Sequence, residues 1–510
     1  MLRMERCQTG ERRGDGKRLH RRVGVSDGRS QLERLLAPLT SVPLVESTDP
    51  DTGTTNGAIT CSVGRGDAVW LRSGGWRVFA RPSTADGRAS ETAAASFTLP
   101  DGRVVRALLH EDERSPTVPF SLTEAYDNFV SEAWRRSTRT SELTPRLLDA
   151  FYRVKPLVPR RLQLAVRRRL VRRQREPEFP AWPWDESVIR LLGLYVRCAL
   201  SVTGRDELPF RWFWPHGRDA ALTLGHDVES SEGLRLALEL ADLEQELGFR
   251  SAFNLGSWYE IDPGFVRELT GRGFEIGFHG VRHDRALFAS RAEFDRQRPL
   301  LARDAARLGA EGFRSPSTYR VFEWLGELPV AYDASISHSD PYEPQPGGCC
   351  SVWPFFIGSV VELPYTLPQD HTLFSLLEAK SVDLWLEQAD RIERNHGLVH
   401  CVSHPDRGYL GDREKRALYA EFLRAMADRD GVWHALPRDV ARWWRLRDRA
   451  TELDGAIVSG IARHGSEPDE IVFECVPTDG AEHDLGRDLA MRLADVLVGP
   501  HDDQTAVVGS

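Results

Sequence analysis

From about residue 216 to residue 445, short apolar runs alternate with stretches of helical periodicity, and this alternation limits the fold more than any other feature of the chain. Strand-like runs stand at 220–225, 250–255, 273–278, 330–334, 360–364, 398–403 and 432–435, with a shorter one at Gly312-Phe313. Helices are expected at 232–247, 262–272, 291–309, 381–395, 412–429 and 437–449. Repeated strand–helix units place successive strands parallel, and this many of them predict an α/β barrel. In such barrels the chemistry collects at the C-terminal ends of the strands, which is where the polar motifs fall.

The most telling motif is Phe274-Glu-Ile-Gly-Phe-His279-Gly-Val-Arg-His283-Asp284. Its apolar run reads as a buried strand that the glycine after His279 breaks, so both imidazoles sit on one turn, within reach of a single metal ion. About fifty residues upstream, Ala220-Ala-Leu-Thr-Leu-Gly225 runs into His226-Asp227-Val228-Glu229. Asp227 and Glu229 alternate along the strand and leave it on the same side. Two histidines with a carboxylate leave positions open for water and substrate, the pattern of a hydrolytic rather than a structural metal site. The second carboxylate can serve as general base. The competing reading of the acids as a helix N-cap is met by Ser230 and Ser231, either of which can cap instead.

Three further strand ends are polar. Gly312-Phe-Arg314-Ser-Pro316 offers an arginine able to orient a carboxylate. Tyr332-Asp333-Ala-Ser335-Ile-Ser337-His338-Ser339-Asp340 is unusually polar for a barrel edge and reads as an active-site loop. His400-Cys-Val-Ser-His404-Pro405-Asp406 ends an apolar strand in His404, a candidate general acid for a leaving amine.

In their order along the chain these motifs resemble the polysaccharide deacetylase family, the NodB homology domain of carbohydrate esterase family 4. Asp227-Val-Glu229 matches the motif carrying a base and a metal-binding acid, His279 and His283 the metal-binding pair, and Arg314-Ser-Pro316 the Arg-x-Pro segment. Tyr332-Asp-Ala-Ser335 and Val361-Glu-Leu-Pro364 are similar to the strand and loop that line the groove, and His404-Pro-Asp matches the catalytic histidine. The resemblance implies a distorted (β/α)7 barrel, a divalent metal, usually zinc (Zn2+), and hydrolysis of an N-acyl group from an amino sugar. It implies Asp227 as base, Glu229, His279 and His283 as metal ligands, Arg314 as the residue fixing Asp227, and His404 as acid. Pro316, Tyr332, Ser335 and His338 are then expected to line the substrate groove. One departure stands out: the family's ligating acid is usually Asp, and Glu229 is one methylene longer. Either Glu229 reaches the metal with adjusted geometry, or Asp227 becomes the ligand and shares the base role with a neighbour such as His226. Two other functions compete: hydrolysis of a different small N-acyl or cyclic amide on the same fold, and carbohydrate binding by a decayed site.

The match covers less than half of the 510 residues, and a chain this long calls for more than one domain. Residues 1–30, rich in Arg and Gly, read as a disordered leader. Residues 31–120 read as a small β-rich domain with runs at 68–72, 76–80 and 103–109. Residues 121–215 read as a helical connector, 216–445 as the catalytic domain and 446–510 as an acidic tail or small appended unit with an apolar-periodic piece near Leu485–Val498. Within the connector, Leu162, Val166 and Leu170 share a helix face among many arginines. Such a helix either docks on the catalytic domain or lies on an anionic membrane surface.

A net charge of −9 gives no global case for nucleic-acid binding. No apolar h-region follows the early arginines and no apolar stretch is long enough to span a bilayer, so the expected location is the cytoplasm, at most at the inner membrane face. An N-acylated amino sugar on a lipid- or nucleotide-linked precursor suits such a location. Seven scattered cysteines, with Cys349-Cys350 the only close pair, argue against a disulfide framework.

Overall fold

The computed structural model describes residues 29–37, 41–48, 55–83, 92–109, 115–136, 160–171, 179–465, 470–476, 489 and 493. Seven parallel strands form the barrel: Ala220–Val228, Ala252–Leu255, Glu275–Phe278, Gly312–Phe313, Tyr332–Asp333, Val360–Glu362 and Leu398–Ser403. Closure is made just beyond Val360–Glu362. There the Thr366 N–H donates to His400 O (3.2 Å), the Thr366 hydroxyl to Leu398 O (2.7 Å), and the His400 N–H to Thr366 Oγ1 (2.9 Å). A strand two or three residues long, followed by side-chain closure, is what distorts this (β/α)7 barrel.

The helices fall where the periodicity places them. Ser231–Glu246 is capped by Ser230, whose Oγ accepts from Gly233 N, Pro263–Gly271 by Asp262, and Arg291–Leu308 by Ser290. Buried strands read as continuous apolar runs because helices cover their outer face, and Ala220–Val228 is buried at all nine positions. The wholly parallel reading has one exception. Phe355–Ile357 turns back on Val360–Glu362 as an antiparallel hairpin through Gly358, whose φ of +61° suits glycine. Val432–His434 pairs with the start of Ala220–Val228.

The N-terminal part holds a seven-stranded mixed sheet ordered Leu44–Ser47, Ile59–Ser62, Thr117–Val118, Val104–Leu109, Thr92–Thr98, Val69–Ser73, Trp76–Ala80. Helix Ser187–Thr203 packs between it and a three-stranded sheet of Leu208–Arg211, Ser459–His464 and Ile471–Cys475. The segment after residue 446 therefore supplies a hairpin to a sheet begun in the connector, a pairing of distant strands that periodicity does not encode. The leader lies outside the described residues except Arg29 and Ser30, as does Leu485–Val498 except Leu489 and Leu493.

The N-terminal part is bolted to the barrel by buried polar contacts. The Gln31 amide donates to Phe356 O (2.6 Å) and accepts from Phe356 N (3.1 Å). Arg447, fully buried, donates to the carbonyls of Leu35, Arg211 and Trp212. Glu132 and Arg320 form a buried ion pair through both carboxylate oxygens. In helix Arg160–Val171, Val166 is exposed and the barrel is met by arginines: Arg167 donates to Tyr342 O (2.5 Å), and Arg168 donates to Ser375 O (2.7 Å) and pairs with Glu378 (2.8 Å). No helix among the described residues is long and apolar enough to cross a membrane. Cys349 and Cys350 are both free and buried.

Candidate metal and catalytic site

Strand alternation sorts the first polar motif. His226 points outward, where Ser403 Oγ (2.8 Å) and the Glu244 carboxylate (2.7 Å) occupy its two ring nitrogens. Asp227 points inward, so the alternative of a base shared with His226 has no geometric support. Asp227 Oδ1 accepts from the Asn254 amide (2.9 Å), on the paired residue of the next strand, and Oδ2 from Arg314 Nε (3.1 Å). Burial opposes ionisation of Asp227, but the neighbouring His279 and Arg314 outweigh it and lower its pKa to about 2. Arg314 is itself fixed by Ala334 O (2.6 Å) and lies over the Tyr365 ring, 4.6 Å from its centroid.

Glu229, His279 and His283 come together: one ligand atom from each lies within 4.8 Å of the others. The His283 Nε2 to Glu229 Oε1 distance is 2.9 Å. His279 Nδ1 donates to Arg314 O (2.8 Å), which fixes its tautomer and leaves Nε2 as the ligand atom. Burial lowers the His279 pKa to about 4, so the imidazole is neutral, as a ligand must be. Burial works against the Glu229 charge, yet the hydrogen bond and charge of His283 hold the carboxyl far below the usual range. Two imidazoles with one carboxylate are a donor set that fits a divalent metal. Asp227 stands outside this group of three.

His404 faces the same space, its Nε2 3.8 Å from Glu229 Oε1. Asp370, fully buried, accepts hydrogen bonds from His404 Nδ1–H (2.7 Å) and from the His404 backbone N–H (3.0 Å). Burial would lower the His404 pKa; Asp370, with Glu229 and Asp227, overrides it and raises it to about 10. Tyr409 stacks on the imidazole at 4.6 Å.

The four expected groove residues are placed differently. Pro316 packs beside Gly280, directly after His279. Ser335 accepts from Ser315 N (2.8 Å) and donates to Asp333 (2.7 Å), bracing the turn after Arg314. Tyr332 is buried, its hydroxyl on Glu275 (2.8 Å), at the opposite end of strand Glu275–Phe278 from His279. His338 is buried under Trp184, its Nε2 accepting from Asp185 N (3.1 Å). Tyr332 and His338 are thus held within the fold and are not brought to the metal group.

Three residues of the site carry no signal of their own in the sequence, and a fourth, Asp406, stands in a noted motif without a role assigned to it. Asn254 is a lone amide in an apolar strand. Asp370 follows Pro-Gln in an irregular stretch. Trp258 donates from Nε1 to Glu229 O (3.0 Å), with its ring 5.6 Å from that of His279 and 5.2 Å from that of His283. Asp406, two residues past His404, accepts from Glu229 N (2.9 Å) and from the Ser230 hydroxyl, locking the ligand-bearing turn.

No protein-family model matches the sequence, and none of the curated proteins matches it. Solved structures do. A protein from Mycobacterium smegmatis described as a polysaccharide deacetylase is 17% identical over 47% of this chain and 96% of its own, with a TM-score of 0.39. The Puue allantoinase is 15% identical over 46% and 92%, with a TM-score of 0.37. A family 4 carbohydrate esterase from Streptomyces lividans is 14% identical over 43% and 93%, with a TM-score of 0.29. The barrel is similar in fold to those of polysaccharide deacetylases and family 4 carbohydrate esterases.

Proposed function

We propose that this protein is a metal-dependent hydrolase that removes an N-acetyl or other N-acyl group from an amino sugar. The observation that carries the reading is a His/His/Glu donor group with the doubly anchored Asp227 beside His279 and with His404, paired to buried Asp370, beside Glu229. When bound, a divalent ion, zinc by its donor set, supplies Lewis acidity to the acyl oxygen and acidifies water.

Asn254 and Arg314 hold the Asp227 carboxylate in one orientation, and its remaining lone pairs take the proton of the attacking water. Asp370 accepts the Nδ1–H bond and holds the ring as imidazolium, so His404 presents its second proton, on Nε2, to the amide nitrogen and delivers it as the C–N bond breaks. The products are the carboxylate and the free amine. The substrate on this reading is a carbohydrate, carried on a lipid- or nucleotide-linked precursor. Metal analysis with acetate release from a panel of N-acetylated amino sugars and a cyclic amide tests the proposal. Sugar deacetylation that vanishes on chelation supports it, whereas turnover of the cyclic amide alone would replace the sugar with another amide.

A further inference from the structure

One side of the catalytic face is met by chain from outside the barrel. The cover starts at Glu132, whose buried pair with Arg320 also takes the Gly348 N–H (2.7 Å). It continues through the segment before helix Ser187–Thr203, where Ser339 Oγ donates to Ala181 O (2.8 Å) and Trp182 packs edge-on to Tyr342, 5.0 Å between centroids. It ends in helix Arg160–Val171. Arg167 holds the loop that follows strand Tyr332–Asp333, and Arg168 holds the segment that follows Val360–Glu362. The two rims also meet directly, the Gln369 amide donating to Glu343 at 2.9 Å, one residue before the Asp370 that anchors His404. The seam is therefore immediately beside the reacting groups. On the opposite side, above the strands that carry Glu229 and His283, those side chains remain 27% and 29% exposed.

A groove that accepts an internal ring of a polymer must be open in both directions from the scissile group. Here one side is held by outer chain, with Arg167 and Arg168 binding one loop each and Gln369 and Glu343 joining the two loops beneath them. Resting on the deacetylase reading above, we propose that the site takes an N-acylated amino sugar as a monosaccharide, a linked head group or a chain end. It excludes internal rings of a polysaccharide, and Arg167 and Arg168 determine that specificity. The two arginines bond to Tyr342, Ser375 and Glu378, away from the metal ligands, Asp227 and His404, so their loss loosens the cover and leaves the chemistry in place.

The test uses the full-length zinc-loaded protein, the R167A/R168A variant and, from the barrel side of the tie, E378A. N-acetylglucosamine, its N-acetylated dimer and its hexamer are incubated with each, and mass spectrometry maps which rings lose acetyl. Wild type is expected to act on the monosaccharide or on a terminal ring only. R167A/R168A should raise the hexamer-to-dimer rate ratio at least tenfold, with internal rings deacetylated, and E378A should move it in the same direction. Removal of internal acetyl groups by wild type, or a ratio unchanged in both variants, overturns the proposal. If no sugar releases acetate with any protein, the deacetylase reading fails, and the closed cleft is judged by binding of hydroxamates followed by tryptophan fluorescence. Acetohydroxamate should then bind wild type and R167A/R168A alike, and a hydroxamate on a long rigid arm should bind the variant at least tenfold more tightly. Equal binding of the long probe overturns it.

Discussion

Replacing Asp370 by Asn tests the acid half of the proposed mechanism with little change of shape. Asp370 accepts two hydrogen bonds from one residue, the His404 backbone N–H at 3.0 Å and the imidazole Nδ1–H at 2.7 Å. A carboxylate has an acceptor for each; an amide has one oxygen and one N–H2. If the amide oxygen keeps the backbone bond, its nitrogen faces Nδ1. The ring must then give up the Nδ1 proton, which leaves a neutral imidazole with Nε2–H, a far weaker acid. If the amide turns over, the buried backbone N–H loses its partner and the ring shifts. Either way the general-acid contribution of about 10²–10⁴-fold is forfeited, equivalent to roughly 2.7–5.4 kcal/mol of barrel-bound transition-state stabilisation at about 1.36 kcal/mol per tenfold. The loss should fall on kcat for an N-acetylated amino sugar and be much smaller for an activated acetate ester, whose leaving group needs little protonation. Metal content should be unchanged, since Asp370 lies outside the ligand group. A D370N enzyme within threefold of wild type on the amide would refute the assignment of His404 as an acid oriented by Asp370.

Three further outcomes are expected. Wild type should hold about one divalent ion per chain, and H279A/H283A none, by elemental mass spectrometry after dialysis. D227N should retain metal and lose about 10²–10⁴-fold in turnover, whereas E229Q should lose metal on dilution; an exchange of these two phenotypes would exchange the roles of base and ligand. E132A should strand the buried Arg320 and lower unfolding free energy by about 3–5 kcal/mol, read from a urea transition, with E132A/R320M recovering part of it.

The barrel was legible because helices such as Ser231–Glu246, Pro263–Gly271 and Arg291–Leu308 carry a capping residue and an apolar stripe, and strands such as Ala220–Val228 and Leu398–Ser403 an apolar run. The expected helix at 232–247 and the observed Ser231–Glu246 differ by one residue at each end. What could not be read was whatever depends on register between distant segments. Phe355–Ile357 is apolar on all sides and says nothing of its direction, so the antiparallel hairpin was missed. Ser459–His464 pairs with Leu208–Arg211 across some 250 residues, a partnership with no local signature. The amphipathic reading of helix Arg160–Val171 rested on Leu162 and Leu170, whose side chains lie outside the described residues, and it did not foresee the bonds that Arg167 and Arg168 make to the barrel.

The same distinction runs through the site. Residues that carry the proposed chemistry announced themselves by type and spacing at strand ends: Asp227, Glu229, His279, His283, Arg314 and His404. Residues that hold those groups in place did not, because a positioning residue needs only one hydrogen bond from the right direction, and many residue types can supply it. Asn254 is opposite Asp227 because the two strands pair at that position. Asp370 reaches His404 because the chain that closes the barrel beside Leu398–Ser403 continues directly into it. The polar loop after Tyr332 shows the converse. Its density of hydroxyls and histidine suggested a groove, but His338 and Ser339 spend those groups on the connector and Tyr332 on Glu275. A polar cluster at a strand end is therefore evidence of an unusual neighbour, and only the geometry tells whether that neighbour is a substrate or another part of the same chain.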